Sequence, residues 1–323
     1  MKITKIGVLT SGGDAPGMNA AIRAVVRTAI FNKVEVVGIM YGYNGLINKN
    51  IKPLTIRDVS DIIHRGGTTL YTARCLEFKT EEGLEKAKKT CIDNNIQGLV
   101  VIGGDGTFRG ARDLSKLGIL CVGIPGTIDN DIGCSDYSIG FDTAINTAME
   151  MIDKLRDTSQ SHDRCTVVEV MGRRSGHIAL ETGVACGATF IIVPEIPNID
   201  IDSNIIDKIK TIQQTGKKHF IIVIGEGYGK TNELAKYIAE KTNLETRVAV
   251  LGHVQRGGSP SVKDRVMASY MGNYAVNLIL NNKRSRVVAV KNNKIIDIDI
   301  NEALKMPKDF DYDLYDVAQQ VSL

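Results

Sequence analysis

The chain has 323 residues, which is long enough for a large core divided between two domains. Hydrophobic residues make up 43% of it and charged residues 24%, and the formal net charge is only +3, so we expect neither a nucleic-acid partner nor a membrane partner. It has no bilayer-length apolar stretch, no signal-peptide pattern and no C-x-x-C pair among its six cysteines, which predicts a cytoplasmic protein with reduced thiols.

Short runs of Val, Ile and Leu predict strands along the whole chain. In order they cover residues 3–9, 34–39, 99–102, 120–124, 166–170, 190–193, 220–224, 248–251 and 287–290. Helical periodicity is clearest at residues 18–30, and it recurs at residues 82–94, 141–156 and 232–240. Alternating strands and helices predict an α/β protein whose mainly parallel sheets are covered on both faces, with a domain break near residues 139–141.

Three glycine-rich segments follow predicted strands. Residues 10–17 lead into the first helix, so they fit either a phosphate-binding loop or a tight turn without a ligand. Residues 103–107 hold Asp105 among glycines, where a carboxylate can reach a magnesium ion that bridges nucleotide phosphates. Residues 225–231 are one residue short of a Walker A loop and do not complete G-x-G-x-x-G, which excludes a P-loop protein and a Rossmann dehydrogenase.

The polar segment at residues 125–131 directly follows a predicted strand. It places the hydroxyl of Thr127, the carboxylates of Asp129 and Asp131, and the amide of Asn130 beyond the carboxyl end of that strand. Open α/β sheets hold their ligands at this position. A solvated turn is the alternative, since Asp, Asn and Gly are common in turns. The spacing of the two carboxylates does not match an EF-hand loop.

Residues 12–19, 103–107 and 125–131 together closely resemble the bacterial ATP-dependent 6-phosphofructokinase family. The resemblance continues in order through residues 64–68, 72–74, 161–164, 170–173, 245–247 and 253–258, and thus spans nearly the whole chain. It implies two similar three-layer α/β/α domains with the active site in the cleft between them. The larger, ATP-binding domain would be residues 1–140 plus 254–305, and the smaller, fructose 6-phosphate-binding domain residues 141–253 plus 306–323.

The resemblance also implies a reaction and its machinery. ATP would phosphorylate the 1-hydroxyl of fructose 6-phosphate to give fructose 1,6-bisphosphate and ADP, the committed step of glycolysis, with Asp129 as general base and Mg²⁺ held by Asp105. The catalytic residues would be Asp129, Thr127, Arg74, Arg173 and Gly13. ATP would be bound by Gly13, Arg74, Cys75, Gly104, Asp105, Gly106 and Thr107. Fructose 6-phosphate would be bound by Thr127, Ile128, Asp129, Arg164, Met171, Gly172, Arg173, Glu226, Arg247, His253, Val254, Gln255 and Arg256.

Two further expectations concern the oligomer and the phosphoryl donor. Arg164 and Arg247 would reach the sugar phosphate from a neighbouring subunit, by analogy in a homotetramer. Gly106 and Gly126 favour ATP, because pyrophosphate-dependent relatives typically carry Asp and Lys at the corresponding positions. A carboxylate at residue 106 would crowd and repel a nucleotide α-phosphate.

The resemblance further implies an allosteric site where ADP and phosphoenolpyruvate compete. It would be formed by Arg23, Ala24, Val25, Val26, Arg27, Asp61, Arg156, Gly187, Ala188, Thr189, Thr215, Lys217, Lys218 and His219. Thr189 stands where well-known members commonly have Glu at the effector magnesium, and Thr215 where they commonly have Arg. Both changes should weaken ADP binding, so we expect weak or altered ADP activation. Without the resemblance, Arg23 and Arg27 would be interpreted as a solvated helix face.

Two other hypotheses compete for the same sequence features. An NAD-kinase-like protein would explain residues 103–107 but not the sugar-phosphate segments. A catalytically silent regulatory paralogue predicts the loss of Asp105 or Asp129, and both are present. The sequence assigns no role to Arg174, His177 or Asp131.

Overall fold

The computed structural model describes residues 2–322, which form eleven strands and eleven α-helices; they alternate up to β10, and β10 and α10 are each followed by a second element of the same kind. The strands are β1 (Lys5–Ser11), β2 (Glu35–Ile39), β3 (Ile51–Leu54), β4 (Gly98–Gly103), β5 (Leu120–Pro125), β6 (Cys165–Val170), β7 (Phe190–Ile192), β8 (Phe220–Gly225), β9 (Thr246–Val250), β10 (Arg286–Lys291) and β11 (Lys294–Asp299). The helices are α1 (Met18–Phe31), α2 (Gly42–Ile47), α3 (Glu81–Asp93), α4 (Asp105–Lys116), α5 (Phe141–Ser161), α6 (His177–Ala185), α7 (Asp207–Gln214), α8 (Thr231–Thr242), α9 (Val262–Leu280), α10 (Ile300–Ala303) and α11 (Tyr312–Val321).

The described chain divides into two compact units. The first unit extends to Ile128, resumes for Ile132–Thr143 and ends with Arg256–Lys308. The second unit contains Asp129–Asp131, Ala144–Gln255 and the stretch that starts at Asp309. None of the helices within residues 2–322 is both long and apolar enough to span a bilayer.

The first unit is built on a seven-stranded sheet in the order β11-β10-β5-β4-β1-β2-β3. The five central strands are parallel, whereas β3 and β11 pair antiparallel at the two edges. Every residue of β4 is buried, as expected for a parallel strand covered on both faces by helices. The strand order reverses between β1 and β4, and α/β proteins bind ligands at such a switch point.

The second unit is built on a four-stranded parallel sheet in the order β7-β8-β6-β9. All six residues of β8 are buried, and Phe220, Ile222 and Ile224 belong to its hydrophobic core. The edge strand β9 has no buried residue, so its side chains can contact solvent or a ligand. Both sheets confirm the α/β class and the predicted parallel pairing.

All nine predicted strands and all four predicted helices are present, with bounds that differ by a few residues. The strands that the sequence did not predict, β3 and β11, are the two antiparallel edges. Pro53 interrupts β3, which is tolerated because an edge strand can lack one ladder hydrogen bond. In β11, Asp297 interrupts the isoleucines and none of the residues is buried, so the strand lacks the continuous apolar run that identified the others.

Candidate functional site

Three strands of the first unit end level with one another. Ser11 at the end of β1 pairs with Gly103 at the end of β4, and Gly103 pairs with Pro125 at the end of β5. The loops that follow therefore begin side by side at the carboxyl edge of the sheet. Hydrogen bonds join them, because the Thr107 hydroxyl donates to the Ser11 carbonyl at 3.0 Å and the Gly126 N–H to the Gly103 carbonyl at 3.0 Å.

Glycine is required where these loops meet. Gly12 and Gly17 have φ angles of 92° and 102°, a region that disfavours side chains. A Cβ on Gly13 would collide with the guanidinium of Arg256, whose Nη1 donates to the Asp14 carbonyl at 3.2 Å. The structure thus places Arg256, assigned from sequence to the sugar phosphate, directly over the first glycine-rich loop.

The second loop forms the N-terminus of α4. Gly104 is the N-cap, and Asp105 opens the helix with its side chain 45% exposed and 3.6 Å from Arg109. A Cβ on either Gly104 or Gly106 would meet no atom within 4 Å, so the space beside this helix end is open. Exposed N–H groups at a helix N-terminus attract anions, which fits a polyphosphate here.

The donor set at this loop fits magnesium bound together with a nucleotide. Among residues 2–322, no group of three or more His, Cys, Asp or Glu side chains is arranged to hold a metal ion by itself. Mg²⁺ commonly uses one or two carboxylates and completes its shell with phosphate oxygens and waters. Asp105 is partly exposed beside the open space and can supply such a carboxylate.

Gly126 has less space around it than Gly106. A Cβ on Gly126 would lie 3.1 Å from the Ile102 side chain and 3.2 Å from the Met18 side chain, which is tight packing. A lysine at this position would have to displace its neighbours. Packing alone therefore favours glycine at residue 126, and the question of the phosphoryl donor depends more directly on Gly106.

A buried asparagine on α1 holds residues 65–69, a few positions before Arg74 and Cys75. The Asn19 amide donates to the carbonyls of Arg65 and Gly66 at 3.0 and 3.1 Å and accepts from the Thr69 N–H at 2.8 Å. Asn19 is only 1% exposed, and it is not among the site residues predicted from the sequence. A polar side chain inside the apolar stripe of α1 was the signal that could have identified it.

The loop after β5 is polar and yet largely buried. Asp129 is 5% exposed and Asn130 is 6% exposed, while Ile128 is fully buried and Thr127 is half-buried. Asn130 has a φ angle of 48°, in the left-handed region that Asn adopts more readily than most side chains. The burial of Asp129 and Asn130 argues against a solvated turn.

In the second unit, two side chains assigned to the sugar phosphate also hold the loop at residues 171–173. Glu226 accepts hydrogen bonds from the Gly172 and Arg173 N–H groups at 3.2 and 2.6 Å. Gln255 is fully buried and accepts from the Met171 N–H at 3.3 Å. These contacts fix residues 171–173 and leave the Arg173 side chain exposed, at a φ angle of 61°.

The remaining sugar-phosphate candidates are on the surface of the second unit. Arg164 and Arg247 both contact Glu245, at 2.9 and 2.5 Å. Arg164 and then Arg247 lower the pKa of that carboxyl, so it stays ionised. Two cations that share one carboxylate leave a net positive charge for an anion. His253 and Val254 are also exposed.

The effector candidates on α1 divide between surface and core. Arg27 is exposed and Arg23 is half-buried, and burial followed by the nearby Arg27 charge lowers the pKa of Arg23. The side chains of Ala24, Val25 and Val26 are buried at 8%, 0% and 0% exposure. Val25 and Val26 therefore expose no surface to a ligand within this chain, and Ala24 exposes very little. Asp61 is exposed, with a φ angle of 56°.

The effector candidates of the second unit form a cationic cluster. Arg156 donates to the carbonyls of Cys186 and Gly187. Burial, Lys217 and Arg156 lower the pKa of His219, in that order, and Lys218 lies 3.5 Å from Asp163. Ala188 and Thr189 are buried, and Thr215 is exposed.

Cysteine reactivity gives a direct check of the burial in both units. Burial raises the pKa of Cys91 and Cys165 to about 12 and that of Cys134 and Cys186 to about 11, whereas Cys75 alone among the six described cysteines is not buried. A pKa of about 11 leaves only about one thiolate in a thousand at pH 8. We expect a thiol–disulfide reagent to titrate one thiol per native chain rapidly, and Cys75→Ser to abolish that phase. Rapid titration of two or more thiols would contradict the burial described here.

Level strand ends, a helix N-terminus beside open space and clustered arginines define an α/β phosphate-binding protein of the phosphotransferase class. The phosphofructokinase family model matches residues 5–279. A curated ATP-dependent 6-phosphofructokinase from Clostridium botulinum is 58% identical over 318 residues, covering 98% of this chain and 99% of its own. One from Bacillus pumilus is 56% identical over 319 residues, covering 99% of both. The chain therefore belongs to the phosphofructokinase family.

Solved structures agree with the fold. Phosphofructokinase from Saccharomyces cerevisiae is 34% identical with a TM-score of 0.89 over 99% of this chain, which spans 48% of the longer yeast chain. A pyrophosphate-dependent phosphofructokinase from Marinobacter aquaeolei has a TM-score of 0.84 over 95% of this chain and 86% of its own. At 22% identity, the latter likeness shows the fold alone.

Proposed function

We propose that the loops at the carboxyl edge of the seven-stranded sheet bind ATP for the phosphorylation of fructose 6-phosphate. The chain has ATP-dependent 6-phosphofructokinase activity, that of its bacterial relatives. The observation that carries the assignment of the loops is the shared register of Ser11, Gly103 and Pro125, which starts three polar loops at one level. The ATP contacts we assign are those of Gly13, Arg74, Cys75, Gly104, Asp105, Gly106 and Thr107.

We assign the proton transfer to Asp129. Its carboxylate takes the proton of the sugar 1-hydroxyl as that oxygen bonds to the γ-phosphorus, and the bond from phosphorus to the β,γ-bridging oxygen breaks to release ADP. Thr127 donates a hydrogen bond to the transferred group, and Arg74 offsets its charge. Positioning and charge compensation are the main requirements of phosphoryl transfer, and these side chains supply both.

Magnesium is assigned to Asp105 together with the ATP oxygens. Bound there, Mg²⁺ would neutralise charge on the β- and γ-phosphates. Asp105 contributes its carboxylate, and the N–H groups at the start of α4 contribute a positive potential towards the same phosphates. The open space beside Gly106 supports this placement.

Fructose 6-phosphate is assigned to the loops after β6, β8 and β9. Glu226 and Gln255 hold residues 171–173, so that Arg173 is presented to the ligand. We further propose a cytoplasmic homotetramer in which Arg164 and Arg247 bind the sugar phosphate of a neighbouring subunit. We also propose that residues 1–140 plus 254–305 form the larger, ATP-binding domain and that residues 141–253 plus 306–323 form the smaller, sugar-phosphate domain.

Product analysis tests the assignment of substrate and position. After incubation with ATP, Mg²⁺ and fructose 6-phosphate, we expect phosphorus NMR to show one new sugar phosphomonoester at carbon 1 and one ADP per sugar consumed. Aldolase should cleave that product. A phosphate at another carbon, or ATP consumed without a new sugar phosphate, would contradict the proposal.

Regulation by ADP is proposed to be weak. The residues that resemble the effector site retain the cations Arg156, Lys217 and Lys218. Thr189, which is 3% exposed, has a hydroxyl and no carboxylate for a metal ion. At low fructose 6-phosphate we expect ADP to raise the rate by less than about twofold. The double variant Thr189→Glu/Thr215→Arg should bind ADP more tightly. Strong activation of the unchanged chain in an ADP titration would contradict this proposal.

A further inference from the structure

A completely buried carboxylate in the first unit has no role in the proposed machinery. Asp264 lies in the first turn of α9 and is 0% exposed. Its Oδ1 accepts hydrogen bonds from the Tyr137 hydroxyl at 2.5 Å and the Gly140 N–H at 2.7 Å. Its Oδ2 accepts from the Thr143 N–H at 2.9 Å and the Thr143 hydroxyl at 2.5 Å. One side chain thus binds residues 137–143 at three positions.

These contacts exceed what helix capping requires. The N-cap of α9 is already supplied by Ser261, whose hydroxyl accepts from the Asp264 N–H at 3.2 Å. Burial raises the pKa of Asp264, and the hydrogen bonds from Thr143, Tyr137 and Gly140 oppose that rise. A buried carboxylate is costly unless donors surround it. Four donors from one segment indicate that Asp264 serves to fix that segment.

The fixed segment supports the loop after β5. The Ile139 N–H donates to the Pro125 carbonyl at 3.0 Å, and Ile139 forms a β-bridge with Gly126. Thr127 is the next residue in the chain, and Asp129 follows two residues later. A shift of residues 137–143 would therefore move the backbone from which Thr127 and Asp129 project.

The same segment packs against the first glycine-rich loop. A Cβ on Gly140 would lie 2.5 Å from the Ala15 side chain. A Cβ on Gly17 would lie 2.6 Å from the Ile139 side chain and 3.4 Å from that of Asp264. Both glycines have φ angles above 100°, so the approach and the backbone conformation each require glycine. Asp264 is thus packed close to both loops.

We infer that Asp264 is a positioning residue for phosphoryl transfer: through residues 137–143 it sets the position of the loop that carries Thr127 and Asp129. The inference rests on the roles proposed above for those two residues. Asp264 touches neither substrate, so its loss should lower kcat and leave KM nearly unchanged. A displacement of about 1 Å in reacting groups can cost about 10²-fold in rate.

The test is a double-mutant cycle on kcat with Asp264→Asn and Asp129→Asn. The first change keeps the size of the side chain but turns an NH₂ group towards N–H or O–H donors. We expect Asp264→Asn to lower kcat per folded chain by about 10- to 100-fold, with KM for fructose 6-phosphate within about threefold. In the Asp129→Asn background, Asp264→Asn should lower kcat by less than about threefold. The base has already been removed there, so moving the loop cannot impair its proton transfer further.

Three comparisons make the outcome decisive. Ser159→Ala removes a buried 2.6 Å hydroxyl pair with Thr166 in the second unit and should lower stability without changing kcat. An unchanged kcat for folded Asp264→Asn, or an effect that is fully additive with Asp129→Asn, would overturn the inference. If Asp129→Asn alone had no effect, the proposed base would be wrong instead. If Asp264→Asn does not fold, Tyr137→Phe removes one of the four donors and enters the same cycle.

Discussion

Replacing Asp129 by Asn should lower kcat by about 10²–10⁴-fold, the usual contribution of a general base. Asn keeps the shape of the side chain but cannot accept a proton at neutral pH. Because Asp129 is only 5% exposed, it matters that Asn has nearly the same size and adds no bulk to the loop. The affinity for fructose 6-phosphate, measured by equilibrium binding, should stay within about threefold. Steady-state assays at saturating ATP and sugar phosphate measure the turnover.

Asp131→Asn is the matched control for that experiment. It makes the same chemical change two residues away, in the same polar loop, at a position to which no role is assigned. We expect its turnover to stay within about threefold of the unchanged chain. Near-normal turnover of Asp129→Asn with intact sugar-phosphate affinity would remove Asp129 from the mechanism, whatever the control does.

Replacing Gly106 by Asp should lower kcat/KM for ATP by about two orders of magnitude or more. The new carboxylate would enter the open space beside α4 in which we place the nucleotide phosphates. Two like unit charges about 5 Å apart repel by about 3 kcal/mol at an effective dielectric constant of about 20, and that energy corresponds to more than a hundredfold. The KM for fructose 6-phosphate should change little.

Protein stability separates this effect from unfolding. Residue 106 is in the first turn of α4, where an acidic side chain interacts favourably with the helix dipole. We therefore expect Gly106→Asp to melt at the same temperature as the unchanged chain or higher, and Gly106→Asn to isolate the contribution of charge. Equal kcat/KM values for the Asp and Asn variants would mean that electrostatic repulsion is not the cause.

The core strands and their loops were predictable because each carries a strong local pattern. Continuous apolar runs identified β4, β5 and β8, and glycines or polar clusters marked where each strand ends. Parallel strands bring their carboxyl ends to one edge of a sheet. The order of β1, β4 and β5 alone therefore accounts for the meeting of the loops that follow these three strands. The edge strands β3 and β11 lack this pattern, since their side chains are partly exposed.

The sequence was less informative about how each site residue is used. Glu226 and Gln255 share a segment with sugar-phosphate candidates, but their contacts to residues 171–173 depend on the register of β6 with β8 and β9. Asn19 and Asp264 are held by hydrogen bonds to residues 46 or more positions away in the chain. Such long-range contacts leave no local periodicity, so the sequence alone could not assign these two residues to the support of the site.

The choice of phosphoryl donor tests the central claim most directly. Formation of fructose 1,6-bisphosphate would be followed in a coupled assay with saturating fructose 6-phosphate and Mg²⁺, with either ATP or pyrophosphate as donor at matched concentrations. The open space beside Gly106, which leaves room for a nucleotide α-phosphate, predicts sustained turnover with ATP. Pyrophosphate lacks the nucleoside and the α-phosphate whose contacts would position the donor, so it should support less than about one hundredth of that rate. Turnover with pyrophosphate equal to or faster than with ATP, or none with ATP, would contradict the account.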